Sequence, residues 1–362
     1  MSERATAMAD GPIMEITDLA AAITWQADHA ERAGAPITAR MVRAELAVSR
    51  TDTAIGRRLR AWPGLSLEDA LPLRLAGALH WLHLTGAEPA LGPVYAGDVF
   101  DQAQIDQIVI AVTGAHDLVL LPWLDHPPQT NEAGRSSSLT AGLLWLGKRL
   151  GPCFEVTEIG ASAGVNTMME RYRYDLGGVE VGPAGSPMSL RPDWRGSPPP
   201  VGPVEIVSIR GCDVAPVDLS DPAEALRLKA YVWADAPERL ARIDAAAALA
   251  SQSHPDLVAM DAGAFVTQML ARPQAESVTR VLVHSVMWQY LAPPTRSAIT
   301  AAMEMAGAAA TRQRPLAWLA LETNRETFRH ELTVRYWPGG GDAVVLSNSH
   351  PHGAWINWRG SA

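Results

Sequence analysis

The stretch "FEVTEIGASAGVN", residues 154–166, decides how this chain is read, and it admits more than one reading. Gly160, Ser162 and Gly164 fit the G-x-S-x-G elbow of a serine hydrolase, in which a sharp strand-to-helix turn exposes a serine hydroxyl. The same residues fit a glycine-rich turn that follows a strand and cradles a nucleotide-type cofactor. A structural turn that binds nothing is the third possibility. The residues on either side separate the three.

Downstream, the pattern alternates. The apolar, β-branched run "CFEVTEI" (153–159) predicts a strand, and "AGVNTMMERYRY" (163–174) the helix after the turn. A Gly/Pro-rich insertion over 176–203 reads as a mobile flap beside the turn. Then come "VEIVSIR" (204–210) as a strand, a helical region over 223–251, and "LVAMDA" (257–262) as a third strand. "VTRVLVH" (278–284) is a fourth, "TRSAITAAMEMAGAAA" (295–310) its helix, and "LAWLALE" (316–322) a fifth. Strands alternating with helices predict a parallel sheet. "ELTVRYWPGGGDAVVLSNS" (331–349) is two strands about a glycine turn, an antiparallel hairpin that closes the sheet.

Upstream, residues 14–150 read as a helical domain, behind a disordered start over 1–13. Apolar residues recur at helical spacing in 14–34, 66–86, 101–124 and 133–151. Ser66 is placed to cap the second of these, and glycines close the first and second. "ARMVRAELAVSRTDTAIGRRLRAW" (39–62) hints at helix-turn-helix, but the chain carries a net charge of −9, against a sequence-independent grip on nucleic acid. Hydrophobic residues make up 48% and charged residues 19%, a globular balance. No apolar run is long enough for a membrane span and no signal peptide opens the chain. Cys153 and Cys212 are too few for a disulfide framework, so a reduced, cytoplasmic protein is expected.

These surroundings favour the cofactor turn. A hydrolase elbow follows several earlier strands and an upstream oxyanion loop, whereas here the preceding residues are helical. A Ser162–Asp342–His352 set can be assembled, but nothing singles it out. In an open α/β sheet, ligands sit beyond the carboxyl ends of the strands, where strand order reverses. Glu158, Asp213 and Asp261 close three successive strands and so face one crevice. An acid at Glu158 suits a ligand with an amino group or a ribose.

The core resembles the class I S-adenosylmethionine-dependent methyltransferases. In that superfamily an acid–Gly–x–Gly turn holds the methionine end, an acid after the second strand binds the ribose, and an Asp-plus-small pair after the third meets the adenine. "EIGASAG" (158–164), "GCD" (211–213) and "MDA" (260–262) match those places. The resemblance implies a Rossmann-like sheet, with S-adenosylmethionine held by Glu158, Gly160, Ser162, Gly164, Asn166, Asp213, Asp261 and Ala262. More closely, "PPQTNEAGRSS", "EIGASAGVN", "RYRYDLGG", "RGCDVAPVD", "HSVMWQYL" and "SHPHGAWINW" resemble an uncharacterised bacterial family with a Rossmann-like core, from about residue 70 onward. Two features depart from the superfamily. Ser162 stands where glycine is usual, and the insertion pushes Asp213 well beyond the roughly 20 residues typical between a glycine turn and a ribose acid.

Other residues are candidates for a small-molecule acceptor. Asn131, Glu132 and Arg135 offer a donor and both charges, able to fix a carboxylate or close on the cofactor. His284, after the fourth strand, is the candidate base. Trp288 and Tyr290 could wall an aromatic or cationic site. His352 can reach the crevice from the terminal hairpin. The His350/His352 pair has no accompanying metal motif, so no metal is expected.

Overall fold

The computed structural model describes residues 18–63 and 69–361, and these fall into two compact units. The expected disorder at 1–13 and the cap at Ser66 lie outside the described residues.

Unit 1 runs to Gln129 and takes back the segment Leu226–Pro237. Its helices are α1 (Leu19–Arg32), α2 (Pro36–Val48), α3 (Ala54–Arg60), α4 (Leu71–Leu84), α5 (Gly92–Tyr95), α6 (Gln102–Ala115) and α7 (Asp117–Leu120). Asp18 starts α1 by accepting from Ala21 N at 2.8 Å, an ordinary side-chain cap. The returning segment explains itself chemically. Asp235 accepts from Ile37 N and Thr38 N at the start of α2, at 2.9 and 2.8 Å, and Tyr231 joins a core with Met41, Leu75, Leu79 and Ile105. The apolar run 101–124 breaks at His116 into two helices. No single helix among the described residues is long and apolar enough to cross a membrane, although the bent pair Gln102–Ala115 and Asp117–Asp125 passes by length and composition. Within unit 1, Ile105, Val109, Val112, Leu120 and Leu124 of that pair are core residues.

Unit 2 comprises Thr130–Ala225 and the chain from Glu238. Its elements, with two helices that straddle the division, are α8 (Ser136–Leu150), β1 (Cys153–Ile159), β2 (Arg173–Leu176), β3 (Val179–Val181), β4 (Ser189–Leu190), β5 (Asp193–Arg195), β6 (Glu205–Asp213), α9 (Pro222–Ala230), α10 (Pro237–Gln252), β7 (Leu257–Ala259), α11 (Ala262–Ala271), β8 (Thr279–Ser285), α12 (Pro293–Ala309), β9 (Leu316–Thr323), β10 (His330–Trp337), β11 (Gly340–Ser349) and β12 (Trp355–Trp358). The main sheet is ordered β5-β12-β11-β10-β9-β8-β1-β6-β7. Its half β7-β6-β1-β8-β9 is parallel, and β9, β10, β11 and β12 follow antiparallel. Unit 2 is therefore mixed α/β, with a mostly parallel sheet closed by antiparallel C-terminal strands.

Every residue of β8 is buried, as expected of a strand covered on both faces. Neighbouring residues of β9 show the two covers. Trp318 packs in one cluster with Phe265 of α11 and Met303 of α12, while Leu319 lies 2.8 Å from where a Cβ on Gly142 of α8 would stand. Successive strand residues point to opposite faces, so α8 and the α11/α12 pair cover different faces. The strand order reverses at β1, which has β6 on one side and β8 on the other.

Several expectations need correction. The division falls after Gln129 and not near 150, because α8 packs on β9, β10 and β11. The helix expected over 163–174 is a 3-10 turn, Asn166–Arg171, followed by β2. The Tyr172 and Tyr174 side chains are fully buried, and their hydroxyls donate to Val165 O and, at 2.9 Å, Met169 O. These bonds fold the segment back on itself. The insertion is not a simple flap. It supplies β3 and β4 to a small sheet with β2, and β5 pairs parallel with β12 at the edge of the main sheet.

Candidate functional site

The turn after β1 is built on three left-handed residues, Gly160 (φ 68°), Ser162 (φ 51°) and Gly164 (φ 73°). Only glycine adopts that region without strain, which accounts for two of the three. Four of its backbone donors are committed. Ala161 N bonds Cys212 O at 2.9 Å and Gly164 N bonds Ala161 O at 2.8 Å. Ser162 N donates to Asp213 Oδ2 and Val165 N to Asn131 Oδ1, both at 2.9 Å. The glycine faces are also packed. A Cβ on Gly160 would meet Met287 Cγ at 2.7 Å, and one on Gly164 would meet Leu257 Cδ1 at 3.0 Å. The turn therefore presents no row of free N–H groups such as a pyrophosphate requires.

Its side chains are another matter. Ser162 Oγ, Glu158 Oε2 and Asn166 Oδ1 are buried without hydrogen-bond partners among the described residues. Buried polar groups are nearly always paired, so these three atoms hold unused hydrogen-bonding capacity on one turn. Glu158, at the end of β1, is 1% exposed, and its other oxygen accepts from Asn166 Nδ2 at 2.9 Å. Burial raises its pKa to about 8, against the Asn166 bond and the charge of Arg135. At neutral pH the carboxyl is mostly protonated.

The other two strand-end acids are bonded locally. Asp213 closes β6, with Oδ1 accepting from Ala215 N at 3.0 Å and Oδ2 from Ser162 N. A carboxylate has about four acceptor sites, so two remain. Asp261 is exposed and caps α11, accepting from Ala264 N at 3.1 Å. Ala262 is buried in the core.

Beyond β8 the chain makes a second strained turn. Val286 has φ 52°, costly for a β-branched residue. It places Met287 over Gly160 and Trp288 flat against His284, with centroids 4.9 Å apart and planes at 17°. Glu322, at the end of β9, holds this arrangement. Its Oε1 accepts from His284 Nδ1 at 2.7 Å and from the N–H groups of Met287 and Trp288 at 3.1 and 3.3 Å. With Nδ1 donating, Nε2 carries the lone pair, and it is buried without a partner. Trp288 also lines an open recess of about 560 Å³ with Arg296, Thr300 and Glu304. Tyr290 is 67% exposed.

A third group of residues lies around Arg135. Glu132, expected to face a ligand, is taken by Arg239 Nε at 2.7 Å and Arg242 Nη1 at 3.0 Å, and it accepts from Gly134 N at 3.0 Å. Arg135 donates from Nε to Pro351 O at 2.9 Å. His330 and His352 respond to its charge. Burial first, and then nearby guanidiniums, lower the His352 pKa to about 2, while burial and Arg135 lower that of His330 to about 4. Both rings are neutral at physiological pH. His350 is lowered too, chiefly by burial.

The structure thus brings Glu158, Ser162, Asn166 and Asp213 together at the turn, and Asn131 supports it from outside. Ser162 Oγ has no histidine partner, and Asp342 and His352 make no hydrogen bond to it. Glu322, His330, Arg239 and Arg242 were missed from sequence. Glu322 carried a usable signal, since it ends the fifth strand as Glu158 ends the first. Among the described residues no group of three or more His, Cys, Asp or Glu could hold a metal.

The chain belongs to the family described as "Uncharacterized protein conserved in bacteria" (DUF2332), whose model matches residues 20–358. The match begins well before residue 70, so the family unit includes most of the helical unit. No curated protein and no solved structure matches the chain.

Proposed function

We propose that this chain is an S-adenosylmethionine-dependent methyltransferase with a Rossmann-like core, acting on a small molecule. One observation carries the reading. Glu158 and Asp213 lie at the ends of β1 and β6, and Asp261 just beyond the adjacent parallel strand β7, on the edge where strand order reverses, the place where open α/β sheets bind ligands.

The residues fit the amino-acid end of that cofactor best. Glu158 Oε2 is buried without a partner, and an incoming ammonium would displace the carboxyl's proton to solvent and pair with the carboxylate. Ser162 Oγ and Asn166 Oδ1 supply further polar contacts, and Asp213 keeps acceptor sites for ribose hydroxyls. A dinucleotide fits less well, because four of the turn's N–H groups are engaged within the chain.

S-adenosylmethionine supplies an electrophilic methyl group, and the protein's task is then mainly proximity and orientation. His284 is the candidate base, oriented by Glu322 so that Nε2 can take a proton from the acceptor. Met287 packs over Gly160 and Trp288 over His284, so opening of the turn at 286–290 would widen access for both ligands. Its strain at Val286 and its dependence on one Glu322 oxygen suit a part that changes position. Calorimetry with S-adenosylhomocysteine tests the reading. Saturable one-to-one binding, weakened by Glu158→Ala, supports it. Absence of binding between pH 6 and 9 refutes it.

A further inference from the structure

The geometry points to a carboxylate-binding subsite at Arg135, where the guanidinium receives an anionic substrate beside the turn. Arg135 is 7% exposed. Its Nε is bonded to Pro351 O, but neither terminal nitrogen has an acceptor among the described residues. Burying a guanidinium without an anion is unfavourable, and folded chains ordinarily supply the anion themselves.

Here the candidates are engaged in whole or in part, or are protonated. Glu132, three residues earlier, is bound by both Arg239 and Arg242. Glu322 feels the charge of Arg135 but spends one oxygen on His284, Met287 and Trp288. Glu158 also lies within electrostatic reach, but burial holds it protonated at neutral pH. Three guanidiniums against two carboxylates leave one positive charge. A single negative charge balances it, which favours a carboxylate over a phosphate dianion. Arg–carboxylate pairing uses two parallel N–H donors, and the two terminal nitrogens keep four between them. His330 and His352 stay neutral beside the guanidinium, so they add hydrogen-bonding capacity without further charge. Arg135 also immediately precedes the fifteen-residue helix α8, whose N-terminus favours an anion, and the Ser137 hydroxyl in its first turn is buried without a partner.

The subsite stands on these contacts alone. That its occupant is the methyl acceptor rests on the methyltransferase reading, and the test keeps the two apart. Benzoate, benzamide and inorganic phosphate are titrated into the full chain at constant ionic strength, with calorimetry and the histidine ring resonances as readouts. The expected result is benzoate binding at least tenfold tighter than benzamide or phosphate, with shifts at His330 and His352 and none at His80 or His83 of unit 1. Arg135→Gln should lose at least tenfold in benzoate affinity, and Arg135→Lys should recover only part of it, having charge without the fork. Benzamide binding as tightly as benzoate, or an unchanged affinity in folded Arg135→Gln, overturns the subsite. Tighter phosphate binding overturns the carboxylate assignment. Should Arg135→Gln fail to fold, the wild-type comparison of benzoate with benzamide and the histidine shifts decide. S-adenosylhomocysteine separates the readings. If Arg135→Gln still binds it, Arg135 serves the acceptor; if that affinity falls equally, Arg135 serves the cofactor's own carboxylate and the acceptor assignment is wrong. Wild type that binds benzoate but not S-adenosylhomocysteine refutes the methyltransferase reading and leaves the subsite standing.

Discussion

Glu158→Gln should make the protein more stable at alkaline pH while leaving it nearly unchanged at pH 5. Glu158 has an ordinary pKa of 4.5 in the unfolded chain and about 8 when folded. Below 4.5 the carboxyl is neutral in both states and contributes no pH dependence. Between 4.5 and 8 the folded state keeps a proton that the unfolded state releases, so stability falls as pH rises. Above 8 the penalty is complete and constant. At about 1.4 kcal/mol per pH unit the gap amounts to on the order of 5 kcal/mol, a large share of an ordinary stability of roughly 5–15 kcal/mol. Glutamine has nearly the shape of the protonated acid and keeps a carbonyl for Asn166 Nδ2, so it removes the titration and little else. Urea unfolding of both proteins from pH 5 to 9 measures the effect on the transition assigned to unit 2. The curves should meet near pH 5 and diverge to a plateau above 8, with the variant more stable. Parallel curves, or a variant equally destabilised at every pH, would show that folded Glu158 is ionised and paired, and the argument for a vacant acceptor at Oε2 would fail.

Asp213→Ala should weaken S-adenosylhomocysteine binding by roughly ten- to a hundredfold, at about 1.5–3 kcal/mol for a hydrogen bond to a charged group, while Asp218→Asn changes the calorimetric affinity little. Because Asp213 also holds Ser162 N and Ala215 N, the alanine variant should lose stability as well, and Asp213→Asn less of it. Ser162→Ala should keep binding within about tenfold and remain unlabelled by a fluorophosphonate, as wild type does; labelling of wild-type Ser162 would revive the hydrolase. Gly160→Ala should destabilise by about 1–3 kcal/mol from its positive φ, with an added steric share from Met287 that Gly160→Ala/Met287→Ala recovers in urea midpoints. Glu322→Gln should abolish the far-downfield NMR proton expected of the His284 Nδ1–H bond and increase hydrogen exchange at Met287 and Trp288.

The main strands were legible because their signals are local. Cys153–Ile159 is rich in apolar and β-branched residues, and it forms the strand that such runs predict. Asp213 closes β6, where a polar residue ends the pattern. Short strands gave no such signal. Asp193–Arg195 pairs with Trp355–Trp358, a partner chosen by tertiary contact and invisible to any local window. The missing helix over 163–174 has a similar cause. The helical spacing is present, but two buried tyrosine hydroxyls claim carbonyls that a helix would use. At the site, residue types were readable and their pairings were not. In sequence, Glu132 stands three residues before Arg135, and nothing there shows which cation it meets. Folding gives Glu132 to two arginines from a helix more than a hundred residues away. The unpaired end of the Arg135 guanidinium is thus a property of the fold, legible only once every donor and acceptor around it has been assigned in space.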